Sequence, residues 1–238
     1  MAVLEKLKIL VVDSSSLTGS VALCQGEQLV AESLLNVRST HSEKLLKQID
    51  LLLTETGWRV SDLDLLAAVV GPGSFTGLRI GIATVKGLAQ ALDKPVVGIS
   101  ALQMLAMNLP LSPAPICVFM DARKKEVYSQ LFNWTDDGPV PLDEARVLPP
   151  ERLLEQLEGE VALVGDAVPL YRHRIEKLLA GRALLPTASA HQPRAAQAGW
   201  LACRAFAHGQ AIRAEKLLPT YIRPSDAELN KPKPRKLF

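Results

Sequence analysis

Hydrophobic positions along the first hundred residues switch between two periods. Leu7–Val12 is an apolar run of buried-strand length that ends in Asp13 and the serine-rich turn Ser14–Ser16. Gly19–Gln25 predicts a second strand, and the tight Gly26-Glu27 connection leads to a third over Gln28–Leu35. The pattern then becomes helical. Leu45, Leu46, Ile49, Leu52 and Leu53 recur on one face, Thr40 and Glu43 have capping-box spacing, and Gly57 marks the stop. Leu63–Val70 is almost wholly apolar, as in a parallel strand covered on both sides. A glycine-rich turn, a second helix over 74–92, a strand over Lys94–Ile99 and a short helix over 101–108 follow.

The order β-β-β-α-β-α-β is the ribonuclease-H-like pattern, and it recurs in trimmed form. Ile116–Met120 ends in Asp121 as Ile9–Val12 ends in Asp13, Glu126–Trp134 predicts a second strand, and Val140–Val147 a third. Pro149-Pro150 opens a helix through Leu157, and Val161–Val164 precedes Gly165 as Ala67–Val70 precedes Gly71. The Asp-to-Gly separation is 71 − 13 = 58 residues in the first half and 165 − 121 = 44 in the second. An unequal duplication of this kind predicts an α/β, actin-like two-lobed architecture. Pro110, Pro113 and Pro115 bracket the boundary. The lobes then span residues 1–109 and 110–222, a last helix at 194–208 crosses back to the first lobe, and 223–238 forms a basic tail.

Size and charge narrow the function classes. At 238 residues the chain is long enough for a core without disulfides or structural metal. No apolar run reaches the ~18–20 residues of a membrane span. Cys24, Cys117 and Cys203 form no CxxC, which fits a reducing cytoplasm. The formal net charge of +2 is concentrated at the end. Arg223, Lys231, Lys233, Arg235 and Lys236 against Asp226 and Glu228 give 5 − 2 = +3, leaving −1 for the rest. A body near neutrality argues against a chain whose main work is gripping nucleic acid, and points any RNA contact to the tail.

The segment Gly71-Pro72-Gly73-Ser74-Phe75-Thr76-Gly77-Leu78-Arg79-Ile80-Gly81, with Asp13-Ser14-Ser15, His41-Ser42-Glu43 and Pro219-x-Tyr221-Ile222-Arg223, closely resembles the TsaB (YeaZ) family. The family has Asp-Thr-Ser and Tyr-Leu-Arg where this chain has Asp13-Ser14-Ser15 and Tyr221-Ile222-Arg223. The resemblance implies a cytoplasmic, non-catalytic accessory subunit. With the catalytic TsaD and the ATPase TsaE, it supports transfer of threonylcarbamoyl from its adenylate to N6 of the adenosine beside the anticodon, in tRNAs reading codons that begin with A. It implies pairing with TsaD, or self-dimerisation, through the two first-lobe helices. ATP and metal are expected on the partner subunits, with no cofactor held by this chain.

The residues leave room for more than one chemistry. Gly73, Gly77 and Gly81 recur every four residues, and Thr84 and Leu88 continue the line. Glycine inside a helix costs about 1 kcal/mol against alanine, so this smooth stripe predicts a close helix–helix approach. Together with His41, Leu45, Ile49 and Leu52 of the preceding helix it forms the expected partner interface. A phosphate cradle at the same turn is the competing reading, although neither a P-loop ending nor a dinucleotide fingerprint is present. Asp13, Ser14, Ser15 and Asp121 stand where an actin-like ATPase holds nucleotide, and are read as remnants that finish a strand. A working cleft there would make the chain an autonomous ATPase or kinase. His41, His173, His191 and His208 lack metal-motif spacing, and the last three read as surface residues.

Overall fold

The computed structural model describes residues 4–36 and 41–223, with the side chains of residues 41–43 outside that description. Strands β1 (Lys8–Asp13), β2 (Thr18–Gln25) and β3 (Gln28–Asn36) form an antiparallel meander, followed by α1 (His41–Thr56). Then come β4 (Leu65–Gly71), α2 (Phe75–Leu92), β5 (Val96–Ser100) and α3 (Ala101–Ala106). The first sheet has the order β3-β2-β1-β4-β5, with β4 and β5 parallel to β1. The second half repeats the plan with β6 (Ile116–Asp121), β7 (Val127–Thr135), β8 (Gly138–Pro141), β9 (Arg146–Leu148), α4 (Pro150–Glu155), β10 (Val161–Val164), α5 (Ala167–Leu179) and β11 (Ala183–Leu184). Its sheet runs β11-β10-β6-β7-β8, and β9 pairs with β7. The expected third strand at Val140–Val147 is thus two short pieces separated by a turn.

Alternation along the two leading strands builds the layers. In β1, Leu10 and Val12 face α1 and α2, whereas Ile9 and Val11 face α3 and the last helix, α6 (Ala195–Ala207). In β6, Ile116, Val118 and Met120 enter that same central core, while Cys117 and Phe119 turn toward α4 and α5. Both strands are buried on both faces, so they read as continuous apolar runs.

Helix α6 lies across β1 and β2 of the first sheet. Its buried face is Ala195, Ala198, Gly199, Leu201, Ala202 and Cys203, small enough for the helix to sit close on the strands. First-lobe side chains satisfy its opening turn: Ala195 N–H donates to Ser20 Oγ at 3.0 Å and Ala196 N–H to Glu32 at 2.9 Å. The chain then returns along the first lobe. Val96 and Ile212 exchange backbone bonds, Leu217 is buried in the α1–α2 core, and Thr220 N–H donates to Val70 O at 2.8 Å. Residues 195–222 therefore pack largely against the first sheet, although they follow the second in sequence.

Candidate functional site

The C-terminal ends of β1 and β4 meet at the start of α2. Asp13 is fully buried, and its Oδ1 accepts the Ser15 N–H at 2.9 Å. Ser14 Oγ donates to Gly77 O at 2.8 Å, and Ser74 N–H donates to Ser15 O at 2.6 Å. Ser74 caps α2 by accepting the Gly77 N–H at 3.3 Å. A β-carbon on Gly73 or Gly77 would strike the Ser15 or Ser14 backbone carbonyl, and one on Gly81 would strike Ser14 Oγ. The glycine stripe is therefore consumed inside the molecule. It lets α2 lie directly on the turn after β1.

This corrects the interface expected from the sequence. Gly73, Gly77 and Gly81 face Ser14 and Ser15, and Leu45, Ile49 and Leu52 are buried in the chain's own core. The reason is shared: α1 and α2 cover one face of the first sheet, and their largest apolar stripes are spent on it. Thr84 and Leu88 are half-buried on the flank of α2. The side chain of His41 lies outside the described residues.

The second lobe repeats the strand-end chemistry. Asp121 Oδ1 accepts the Arg123 N–H at 2.9 Å, and its carboxylate also pairs with the Arg123 guanidinium at 3.1 Å. Asp166, at the start of α5, accepts the Asp121 N–H at 2.8 Å, and burial pushes its carboxyl above the usual range. In each lobe a carboxylate occupies the backbone donor two residues beyond the strand. The Ser15 and Arg123 amides are thus each engaged by the carboxylate that ends the preceding strand.

Among the described residues no group of three His, Cys, Asp or Glu side chains is placed to hold a metal ion. All three cysteines are free and buried, and desolvation pushes the Cys24 and Cys117 thiols up to about 12, far from a thiolate at neutral pH. Among the described residues no helix is long and apolar enough to cross a membrane.

His191, expected on the surface, is buried in a 3-10 turn between the lobes. Its Nδ1 accepts the Gly165 N–H at a long 3.4 Å, while Asn108 holds the carbonyls of Ala190 and Gln192 at 2.9 and 2.8 Å. Burial, and then the charge of Arg172, lower its pKa. The unfolded chain therefore binds a proton more readily than the folded one. Stability from this site is complete above about pH 6.5 and declines as pH falls from there toward the lowered folded value. Asp166, whose pKa is raised, acts in the opposite sense. The urea midpoint is expected to be lower at pH 5.5 than at pH 7.5, and His191→Gln should shrink that difference. An undiminished difference in the variant would contradict the assignment.

Two features escaped the sequence reading. Phe75 and Tyr221 stack at 5.0 Å, Arg79 lies 3.8 Å over the Phe75 ring, and Arg79 Nε donates to Tyr221 Oη at 3.1 Å. Two separate motifs are thereby one cluster, a contact between residues 142 apart that no local pattern announces. The second feature is Gly87, a mid-helix glycine whose added β-carbon would meet nothing within 4 Å among the described residues.

The family model described as "TsaD: tRNA N6-adenosine threonylcarbamoyltransferase" matches residues 35–231. The chain is 33% identical over 227 residues to the tRNA threonylcarbamoyladenosine biosynthesis protein TsaB of Escherichia coli, covering 91% of this chain and 95% of that one. It is 28% identical over 225 residues to the Bacillus subtilis protein of the same name, covering 93% and 96%. The solved structure of YeaZ from Pseudomonas aeruginosa superposes with a TM-score of 0.78 at 31% identity, covering 90% of this chain and 99% of that chain. With motifs, two-lobed fold and end-to-end matches in agreement, the chain belongs to the TsaB (YeaZ) family.

Proposed function

We propose that this chain is a non-catalytic subunit of tRNA threonylcarbamoyladenosine biosynthesis that docks a TsaD-type catalytic subunit through the outward faces of α1 and α2. The observation that carries the reading is the solvent side of α2. Its exposed positions are Phe75, Thr76, Arg79, Ala83, Gly87, Gln90 and Ala91, with Ile80 half-buried among them. Arg79 and Lys86, the only charged residues of α2, are both engaged by the C-terminal segment: Arg79 by Tyr221, and Lys86 by the carbonyls of Glu215 and Leu217 at 3.2 and 3.3 Å. An ordinary surface helix carries its charges outward. Gly87 costs about 1 kcal/mol relative to alanine, and among the described residues a β-carbon there would meet nothing within 4 Å. Its use lies in a close approach from outside. Leu46 and Leu51 of α1 are 56% and 53% exposed, one on each side of that helix's buried seam.

In this reading the partner supplies the reactive groups, and the TsaE-type ATPase acts on the assembly. A self-dimer through the same face is the resting competitor. Sedimentation of the purified chain with and without an equimolar TsaD-type subunit tests the proposal. A stable heteromer, with no ATP turnover by the chain alone, is expected. Failure to associate, together with ATP hydrolysis by the isolated chain, would favour an autonomous ATPase instead.

A further inference from the structure

Helix α2 contains no acidic residue, and its two cations donate only to neutral groups. Arg79 Nε donates to Tyr221 Oη at 3.1 Å, and the guanidinium lies 3.8 Å over the Phe75 ring, which itself stacks on Tyr221. Lys86 Nζ donates to the carbonyls of Glu215 and Leu217. Glu215, the only acidic residue between 209 and 223, is paired with Arg213 at 3.5 Å. Arg79 is exposed, and among the described residues its two terminal nitrogens meet no acceptor. A tyrosine hydroxyl and a ring face thus hold the guanidinium in place without neutralising it.

The charge around it has the same sign. Arg79 and Lys86 of α2, with Arg213 and Lys216 against Glu215 on the segment 209–222, give 4 − 1 = +3. Residues 1–222 carry −1 in total, so the remainder carries −1 − 3 = −4. An otherwise acidic body is therefore basic along α2 and the segment packed on it. Phe75, Leu218 and Tyr221 are exposed on the same two elements.

We propose that Arg79 is the charged anchor of the docking surface, its terminal nitrogens taking a carboxylate of the TsaD-type subunit in a two-point contact. This inference rests on the docking role proposed above. With Nε already held, the remaining pair of nitrogens forms a fork that matches a planar carboxylate end-on. Holding the side chain in advance lowers the ordering cost at association. Positive charge here also complements an acidic partner and repels a basic one. A nucleic-acid phosphate is the other anion that would fit the fork. Exposed aromatic and leucine side chains beside an arginine are the makings of a protein interface, whereas a phosphate contact has no need of them.

Titration calorimetry of the full chain with the TsaD-type subunit, at 50 and 300 mM salt, tests the anchor. Arg79→Gln should weaken association at least about 30-fold at the lower salt. Arg79→Lys keeps the charge without the fork and should recover only part of that loss. Tyr221→Phe frees Nε but leaves the fork and the ring, and should cost much less than Arg79→Gln. Wild-type affinity should fall with salt more steeply than that of Arg79→Gln. The isolated Arg79→Gln chain should melt within about 2–4 °C of wild type, because the fold loses only an exposed cation–π contact and an exposed hydrogen bond. Wild-type affinity in Arg79→Gln overturns the proposal and leaves the docking role intact. An equal loss in Tyr221→Phe, with parallel salt dependence, also overturns it by reducing Arg79 to a tether of the C-terminal segment. A labelled tRNA transcript that binds wild type but not Arg79→Gln, while subunit affinity is unchanged, would assign the fork to phosphate and overturn it as well. Absence of any association between wild type and the subunit would remove the docking role and the anchor together.

Discussion

Gly77→Ala is expected to destabilise the fold by about 3 kcal/mol, although the same exchange in an isolated helix is favourable by about 1 kcal/mol. The sign is set by Ser14. The new methyl would overlap the Ser14 carbonyl oxygen, a backbone atom fixed where β1 ends, and the Ser14 Oγ bond to Gly77 O at 2.8 Å would be lost as the two separate. Because Asp13 and Ser15 are tied into the same buried turn, the displacement has no soft side chain to absorb it. At 2–4 °C per kcal/mol for a chain of this size, the melting temperature should fall by roughly 6–12 °C. Gly87→Ala on the same helix is the internal control. It has open space around it and should raise the melting temperature by roughly 2–4 °C. Equal effects of the two substitutions would refute the assignment of Gly77 to an internal contact and of Gly87 to an outward one.

Gly87→Glu should produce the largest change in association. Glutamate is a better helix former than glycine, so the isolated chain should remain folded with an unchanged or slightly raised melting temperature. In the complex, the carboxylate would be forced into a close helix–helix contact without a partner charge, at a cost of several kcal/mol. A loss of roughly 100-fold in affinity for the TsaD-type subunit, equivalent to about 2.7 kcal/mol, is the expected result. Titration calorimetry at constant salt measures it. A self-dimer using the same face should dissociate in parallel.

The contrast between these two glycines marks what was legible in the sequence. The strand runs Leu7–Val12 and Val161–Val164, the two strand-ending aspartates and the second helix could all be read locally, because burial on one or both faces leaves a periodic trace. The trimmed repeat exposed the two-lobed plan for the same reason. The orientation of the Gly73–Gly81 stripe was not legible. A smooth helix face looks the same whether a partner or the chain's own turn lies against it, and only the position of Ser14 decides. Leu51, on the same helix as buried apolar residues, is exposed. Leu45, Ile49 and Leu52 could not be sorted from it by type alone. His191 read as a surface residue because neither its neighbours nor its spacing reveals contact with Gly165, 26 residues away. The left-handed turn at Arg123–Lys125 carries no glycine, so the usual signal for that backbone was missing.

We propose that this chain works by presenting a surface, with the reactive groups held elsewhere. Reconstituted threonylcarbamoylation of a tRNA transcript, with the TsaD- and TsaE-type subunits, the threonylcarbamoyl donor and each variant of this chain, tests it most directly. Asp121→Asn keeps the backbone cap at Arg123 but removes the carboxylate charge, and should support the reaction at the wild-type rate. Gly87→Glu should reduce it to the level seen without this chain. A collapse of the rate with Asp121→Asn while Gly87→Glu remains active would contradict the account and place chemistry in the cleft between the lobes.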